Sequence, residues 1–305
     1  MNNTEVTIIT SFFDVGRKNF EGEFARNNDK YFEDFKMWAR IKNNIIVYTN
    51  SEMAKKVETV RSEFGLLDKT KVIVIDDFSI LEPALFERMN EVSKSQEFLK
   101  FRYMPNPADN NAQYDYIMLL KSWCLNDVAE KKLATGLLLW LDFGFTHGGA
   151  VYPNSEEFNF TLKVDFPNDK ITLFSLKDDD GKPIFQIVQS YDTYMMGFMM
   201  YVPSNLANLL WSDIKSAMNS LLDVGFIDDD QTLLLMISRN HKERYNIIKS
   251  NWLLPLKEYG GEHLTTITTP KKMAFEDRIL RKYRVNKRNR NCIKNLKSLF
   301  MKNDY

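Results

Sequence analysis

Cysteine is scarce in this chain. The 305 residues hold two, Cys124 and Cys292, far apart and without a neighbouring ligand pattern, so neither a disulfide framework nor a zinc site is indicated. Histidine is scarce as well, and His147, His241 and His263 show no metal-pair spacing. The 12 glycines form neither GxGxxG nor GxxxxGK[ST], which removes the dinucleotide fingerprint and the phosphate loop. No GxSxG marks a nucleophilic hydrolase. Net charge is missing too, +0 with His neutral, which argues against a general nucleic-acid binder. No apolar run approaches the ~20 residues of a membrane span. The start, "MNNTEVTIITSFF", lacks the basic residues and long apolar core of a secretory signal. These absences predict a cytoplasmic protein and leave peripheral membrane contact open.

What is present is a large apolar content, 44% hydrophobic and 13% aromatic, enough for a sizeable core. Val6–Phe13, Asn44–Asn50 and Lys71–Asp77 read as strands, short and almost continuously apolar, as in a sheet covered on both faces. A helix is expected around Lys30–Ile41, and another with Ser51 as cap and Gly65 as stop. This alternation predicts an α/β fold, a mostly parallel sheet flanked by helices, with right-handed crossovers.

Beyond it the pattern predicts a helix from about Leu81 to Phe101, a loop at Met104–Asn111 and a strong helix, "AQYDYIMLLKSWCLNDVAEKK". A strand at Gly136–Phe143 precedes an irregular stretch from Gly148 to Asp169. Strands follow at Ile171–Leu176 and Tyr194–Pro203, separated by a turn at Asp178–Pro183, and Gly197 allows the second to bend or pack closely. Ser204 is placed to cap a helix to about Leu222. "DDDQTLLLMISRN" reads as a further helix with acids at its dipole-favoured end, and "YNIIKS" as a last strand. Lys and Arg crowd the region from Arg278 to Lys302, where Asp and Glu are absent. The expected organisation is therefore one domain over 1–270 and a basic, partly helical tail over 271–305.

The chemistry concentrates in three places. In "LLLWLDFGFTHGG", Leu137 to Gly149, Asp142 follows a buried strand. In open parallel sheets that edge is where ligands bind. A carboxylate there can hold a divalent cation or accept a ribose hydroxyl, or it can simply cap the turn. Gly144 removes a side chain and lets a ligand near the backbone. The "DFG" is not that of a kinase, because no glycine-rich loop, "HRD" or "VAIK" accompanies it.

The second place is "FIDDDQTLLL". Asp228, Asp229 and Asp230 stand at a helix start, where one can be a general base if it faces an acceptor, or all can be ordinary caps. Mutual repulsion within the triplet would raise their pKa values. The third is the helix carrying Tyr114 and Lys121, seven residues apart on one face. Lys121 can pair with Asp142 or reach a diphosphate, or it can be a solvated lysine. Of the histidines, His147 beside Asp142 is the best ligand candidate, His263 is weaker, and His241 reads as surface. In the tail, Ile293, Leu296, Leu299 and Phe300 recur at helical spacing among lysines. That is the pattern of a helix lying on an anionic membrane, or of a basic tail folded onto an acidic body.

Taken together, "TIITSFFDVGR" (Thr7–Arg17), "QYDYIMLLKSW", "LLWLDFGF", "MMGFMMYVP" and "DDDQTLLLM", spread over about Thr7 to Trp252, resemble the bacterial HtrL/YibB-like (WlaTC/HtrL-type) family of glycosyltransferase-like proteins. The resemblance implies a GT-A-like, Rossmann-related sheet. It further implies a glycosyltransferase, hexosyltransferase-like, moving a sugar from a nucleotide-sugar donor (a UDP-sugar foremost) to a surface-glycan acceptor such as lipooligosaccharide or capsule. Donor contacts would come from Thr10, Arg17, Tyr114, Lys121, Asp142 and Gly144, and an inverting base from Asp229 or Asp230. GT-A enzymes usually carry DxD at the strand end, whereas Asp142-Phe143-Gly144 has one acid. The diphosphate charge would then be met by a divalent cation, Mn²⁺ or Mg²⁺, on Asp142 with His147 or His263, or by Lys121 and Arg17. The partners implied are the nucleotide sugar, a glycan or lipid-linked glycan and, through the tail, an anionic membrane at the inner face of the cytoplasmic membrane. Nucleic acid is not implied. The rival reading is a non-catalytic nucleotide- or glycan-binding protein that retains the fold.

Overall fold

The computed structural model describes residues 4–16, 27–102 and 111–267. Arg17, Cys292 and the basic tail at 271–305 lie outside the described residues. The chain divides into Met1–Thr266 and Ile267–Tyr305.

In chain order, the first unit contains β1 (Thr4–Glu5), β2 (Thr7–Phe12), α1 (Asn28–Trp38), β3 (Ile45–Thr49), α2 (Ser51–Ser62), β4 (Thr70–Val74), α3 (Pro83–Lys94), α4 (Gln96–Phe101) and α5 (Ala112–Glu130). It continues with β5 (Leu137–Leu141), β6 (Lys163–Val164), β7 (Ile171–Ser175), α6 (Ile184–Ser190), β8 (Met195–Pro203), α7 (Ala207–Asp223), α8 (Asp230–Asn240), β9 (Tyr245–Lys249) and α9 (Pro255–Glu258). Seven strands form one sheet in the order β4-β3-β2-β5-β8-β7-β9, and β1 pairs with β6 in a small separate ladder. Within the sheet β8 alone runs against its neighbours. The other strand pairs are parallel. This is the α/β class expected, a mostly parallel sheet flanked by helices.

The pleat sends successive side chains to opposite faces. Ile9, Leu138 and Trp140 enter the core packed by α5 and α7. Ile8, Leu139 and Leu141 enter the other, with Phe35 and Trp38 of α1. Both faces are therefore covered, and β2, β3 and β5 carry the apolar residues this requires.

Several local expectations are corrected. The cap of α2 is Asn50, whose side chain accepts from Met53 N, and Ser51 is already helical. β4 is half exposed, as an edge strand, although its sequence reads as a covered one. The helix expected over Leu81–Phe101 breaks at Ser95, whose hydroxyl accepts from Phe98 N and starts α4 afresh. Ser204 opens a 3₁₀ turn, and α7 begins at Ala207. Helices α6 and α9 have no counterpart in the sequence reading, because neither is long enough to show a period.

The register between β2 and β5 ends at Ile9↔Trp140, while β2 stays paired with β3 as far as Phe12↔Thr49. From β2 the chain crosses outward to β3 and β4 on one side, and β5 lies on the other. A crevice opens where the strand order reverses, outside the carboxyl ends of these two strands, which is the usual ligand position of an open α/β sheet.

Candidate active site

A cleft of about 550 Å³ occupies this crevice. Its floor is the end of β5. Asp142 sits one residue past the strand, its backbone N–H donating to Phe198 O at 2.9 Å. Phe143 turns the other way into an aromatic nest. It stacks on Phe35, with ring centres 4.3 Å apart, and on Phe12 at 5.1 Å. Trp38 Nε1 donates to the Phe143 carbonyl at 3.0 Å, and Thr146 Oγ1 to Asp34 O at 3.0 Å. Helix α1 thus clamps the turn and leaves the Asp142 carboxylate facing the cleft.

Gly144 lines the cleft, and its missing side chain also makes room for a neighbouring ring. A Cβ there would lie 2.8 Å from Tyr31 Cδ1. The space beside the turn is filled by the Tyr31 ring, so a second acid at this position has no room without moving it.

The wall above comes from α5. Tyr114, Ile117, Met118 and Lys121 all line the cleft, at the i, i+3, i+4, i+7 spacing of one helical face. Lys121 is buried, its side chain 4% exposed, which overturns the solvated reading. Its Nζ lies 2.9 Å from Asp142 Oδ1 and 2.7 Å from Asp230 Oδ2, and it donates to Gly197 O at 2.9 Å. Trp140 Nε1 donates to Asp142 Oδ1 at 2.7 Å. Burial alone would lower the lysine pKa, but the Asp142 and Asp230 charges outweigh it and hold the ammonium above the ordinary lysine value. Asp230 moves up: its burial exceeds the opposing pull of Lys121, and Asp142 adds to the rise.

The acid triplet separates into three roles. Asp228 is buried and pairs with Arg102 Nη2 at 3.0 Å, while accepting from Thr232 Oγ1 at 2.8 Å. Asp229 caps α8 by accepting from Gln231 N at 3.0 Å and lines the cleft, partly exposed. Asp230 is in the lysine node. The expected mutual repulsion is replaced by separate cations for Asp228 and Asp230, and what raises Asp230 is burial together with Asp142, from the turn after β5.

Of the other residues singled out in the sequence, His147 and Tyr114 line the cleft. Two do not reach it. Thr10 is fully buried within β2 with its Oγ1 unpartnered among the described residues, because the pleat turns it into the protein. His263 is remote from the cleft lining, its Nε2 2.9 Å from Glu157 O and its ring 4.4 Å from that of Phe160. Among the described residues no group of three or more His, Cys, Asp or Glu is placed to hold a metal. With Lys121 against both acids and Tyr31 in the place of a second strand-end acid, the donor set does not fit a tightly held divalent ion.

Several contributors escaped the sequence reading. Tyr191 ends α6 with φ 55 and Leu253 has φ 65, while His147, already singled out in the sequence, has φ 46, and all three line the cleft. Left-handed backbone at bulky residues costs energy and collects at functional sites. Leu253 is held by Tyr152, whose hydroxyl donates to its carbonyl at 2.5 Å. Beside it Trp252 is 41% exposed at the cleft. Gly197, read in the sequence as a place of bending or close packing, is where Asp230 packs against β8.

A family model described as "Bacterial protein of unknown function (HtrL_YibB)" matches residues 4–259. Protein HtrL of Escherichia coli (strain K12) is 25% identical over 261 residues, 80% of this chain and 87% of that one. Among solved structures, mouse xyloside xylosyltransferase 1 in its apo form is similar with a TM-score of 0.43 and 15% identity, over 80% of this chain and 85% of that one. A glycosyltransferase involved in the glycosylation of the major capsid of PBCV-1 gives 0.42 and 12%, over 91% of this chain and 100% of that one.

Proposed function

We propose, for a chain that belongs to the HtrL_YibB family, that it is a GT-A-like glycosyltransferase whose donor, a nucleotide sugar, lies across the carboxyl ends of β2 and β5. The observation that carries this reading is the Asp142 carboxylate at the switch point of a mostly parallel sheet, positioned by Trp140 and Lys121 and open to a cleft of about 550 Å³. A crevice at that place in the topology suits a nucleotide, and a partly exposed carboxylate there is an acceptor for ribose hydroxyls.

In the proposed transfer an acceptor hydroxyl oxygen bonds to the anomeric carbon as the bond from that carbon to the diphosphate oxygen breaks. The hydroxyl proton passes to a carboxylate, and the diphosphate leaves with the electron pair. Asp229 suits the base. It faces the cleft, whereas Asp230 is buried against Lys121. Trp252 offers an exposed aromatic face beside the same cleft, a surface on which a sugar ring can stack. The basic segment after Pro270 is proposed, from its sequence, as the contact with anionic lipid near a lipid-linked acceptor.

Calorimetric titration with UDP followed by a donor-hydrolysis screen over nucleotide sugars tests the reading. Binding with turnover of a donor, lost in Asp142→Asn while the fold persists, supports it. Binding without turnover of any donor favours the non-catalytic binding protein, and full activity in Asp142→Asn removes the site.

A further inference from the structure

We propose that Lys121 is a built-in counter-ion standing where a divalent cation would otherwise sit, so that this cleft binds a nucleoside diphosphate without metal. The proposal rests on the nucleotide-binding reading above for its ligand, and on the lysine node for its geometry.

The surroundings of Nζ form the oxygen shell of a hard cation. Two carboxylates from different elements and one backbone carbonyl converge on it at 2.7 to 2.9 Å. Carboxylates and carbonyls are the ligands that Mg²⁺ and Mn²⁺ take. The ammonium, a three-fold donor, hydrogen-bonds to Asp142 Oδ2 at 3.2 Å and to Gly197 O at 2.9 Å, and forms an ion pair with Asp230 Oδ2 at 2.7 Å. The chain arranges this through one glycine: a Cβ at residue 197 would lie 2.0 Å from Asp230 Oδ2. Only the absence of a side chain lets α8 bring its carboxylate down over β8 to the lysine.

A dication cannot simply be added. To take these oxygens it would have to displace an ammonium that is almost wholly buried, leaving that charge without acceptors, and breaking a buried pair is strongly unfavourable. Nor is there a vacant ligand set alongside. Asp142 Oδ1 already accepts the Trp140 indole N–H at 2.7 Å, a proton where a metal would need a lone pair. The position two residues after Asp142 is closed to a second acid by Tyr31. The node keeps one net negative charge from two carboxylates and one ammonium, where the bare acids would carry two. Lys121 therefore acts as a positioning residue, neutralising and spacing Asp142 and Asp230.

Two measurements on the full chain test this. Mn²⁺ titration followed by electron paramagnetic resonance should show no stoichiometric ion on the wild-type protein, and UDP affinity by calorimetry should agree within about twofold between EDTA and Mn²⁺. Lys121→Met, similar in length and uncharged, should gain a bound Mn²⁺ on the freed carboxylates. A stoichiometric ion on the wild type, a UDP affinity about tenfold or more higher with Mn²⁺ than in EDTA, or a folded Lys121→Met that gains no ion overturns the proposal. If Lys121→Met does not fold, the two wild-type titrations still decide it. If UDP binds under neither condition, the nucleotide reading fails, and the Mn²⁺ titrations of wild type and variant separately decide whether Lys121 fills a cation site.

Discussion

Gly197 and Asp230 interlock: a Cβ built on the glycine would lie 2.0 Å from Asp230 Oδ2 and 2.4 Å from Cγ. Gly197 also supplies, through its carbonyl, the third acceptor of Lys121. One residue of β8 thus sets both the approach of α8 and the orientation of the lysine. Gly197→Ala is expected to push the Asp230 carboxylate off Lys121 at a cost of about 1–3 kcal/mol, the usual range for overpacking. Chemical denaturation would measure this loss, and UDP titration should show weakened binding. A variant as stable as wild type with unchanged nucleotide affinity would mean that the close approach has no part in the site.

Asp229 and Asp230 are neighbours in sequence but differ in surroundings, and the two asparagine variants should differ in kind. Asp229→Asn removes the proposed base from the cleft wall. It should lower transfer by roughly 10²–10⁴-fold, the range for general acid–base catalysis, with UDP affinity little changed. Asp230→Asn leaves Lys121 with one carboxylate fewer, so UDP affinity should change along with turnover. Steady-state kinetics on an identified donor and acceptor separate the two. If Asp229→Asn keeps full transfer and Asp230→Asn alone abolishes it with affinity intact, the base is Asp230.

Tyr31 fills the space beside Gly144, so an acid placed two residues after Asp142 should not create a metal site. In Gly144→Asp the new Cβ meets Tyr31 at 2.8 Å. The expected result is a loss of about 1–3 kcal/mol in stability and no gain in Mn²⁺ binding. Tyr31→Ala combined with Gly144→Asp should recover part of that loss, a coupling a double-mutant cycle reads directly. Additive effects of the two changes would show that Tyr31 is not the obstacle.

The legible part of this molecule was the part written in local pattern. Ile45–Thr49 and Leu137–Leu141 are almost continuously apolar and buried, so strands covered on both faces could be read from composition alone. The Lys121–Asp142 pair was also within reach, because Lys121 falls on the same helical face as Tyr114 and Asp142 on the ligand edge of a parallel sheet. What could not be read depends on pairs far apart in the chain. The half-exposed edge position of β4 and the reversed direction of β8 are set by which strands flank them, and no residue of either states it. Asp230 joins the site only because α8 packs beside α5 over the same face of the sheet, with a glycine of β8 beneath its carboxylate. The side chain of Thr10 is excluded by the pleat, a parity that hinges on one residue of register. Tyr191 sits after a seven-residue helix, too short to announce itself by period.

The buried acid also makes a prediction about pH. The folded-state pKa of Asp230 lies above its ordinary value, with burial as the first cause. For a group shifted in this direction, the favourable contribution to stability is fully present below the unfolded value, about 3.9 for aspartate. It is lost as pH rises through the folded value. Lys121 is shifted upward as well, so its contribution persists below its unfolded value of about 10.4 and stays constant through the acid range. The difference in unfolding free energy, wild type minus Asp230→Asn, should therefore fall as pH is raised above about 4. Urea denaturation of both proteins at a series of pH values measures it. A difference that grows over that range would mean that the attraction of Lys121 outweighs burial, and that Asp230 is held ionised below the usual carboxylate range.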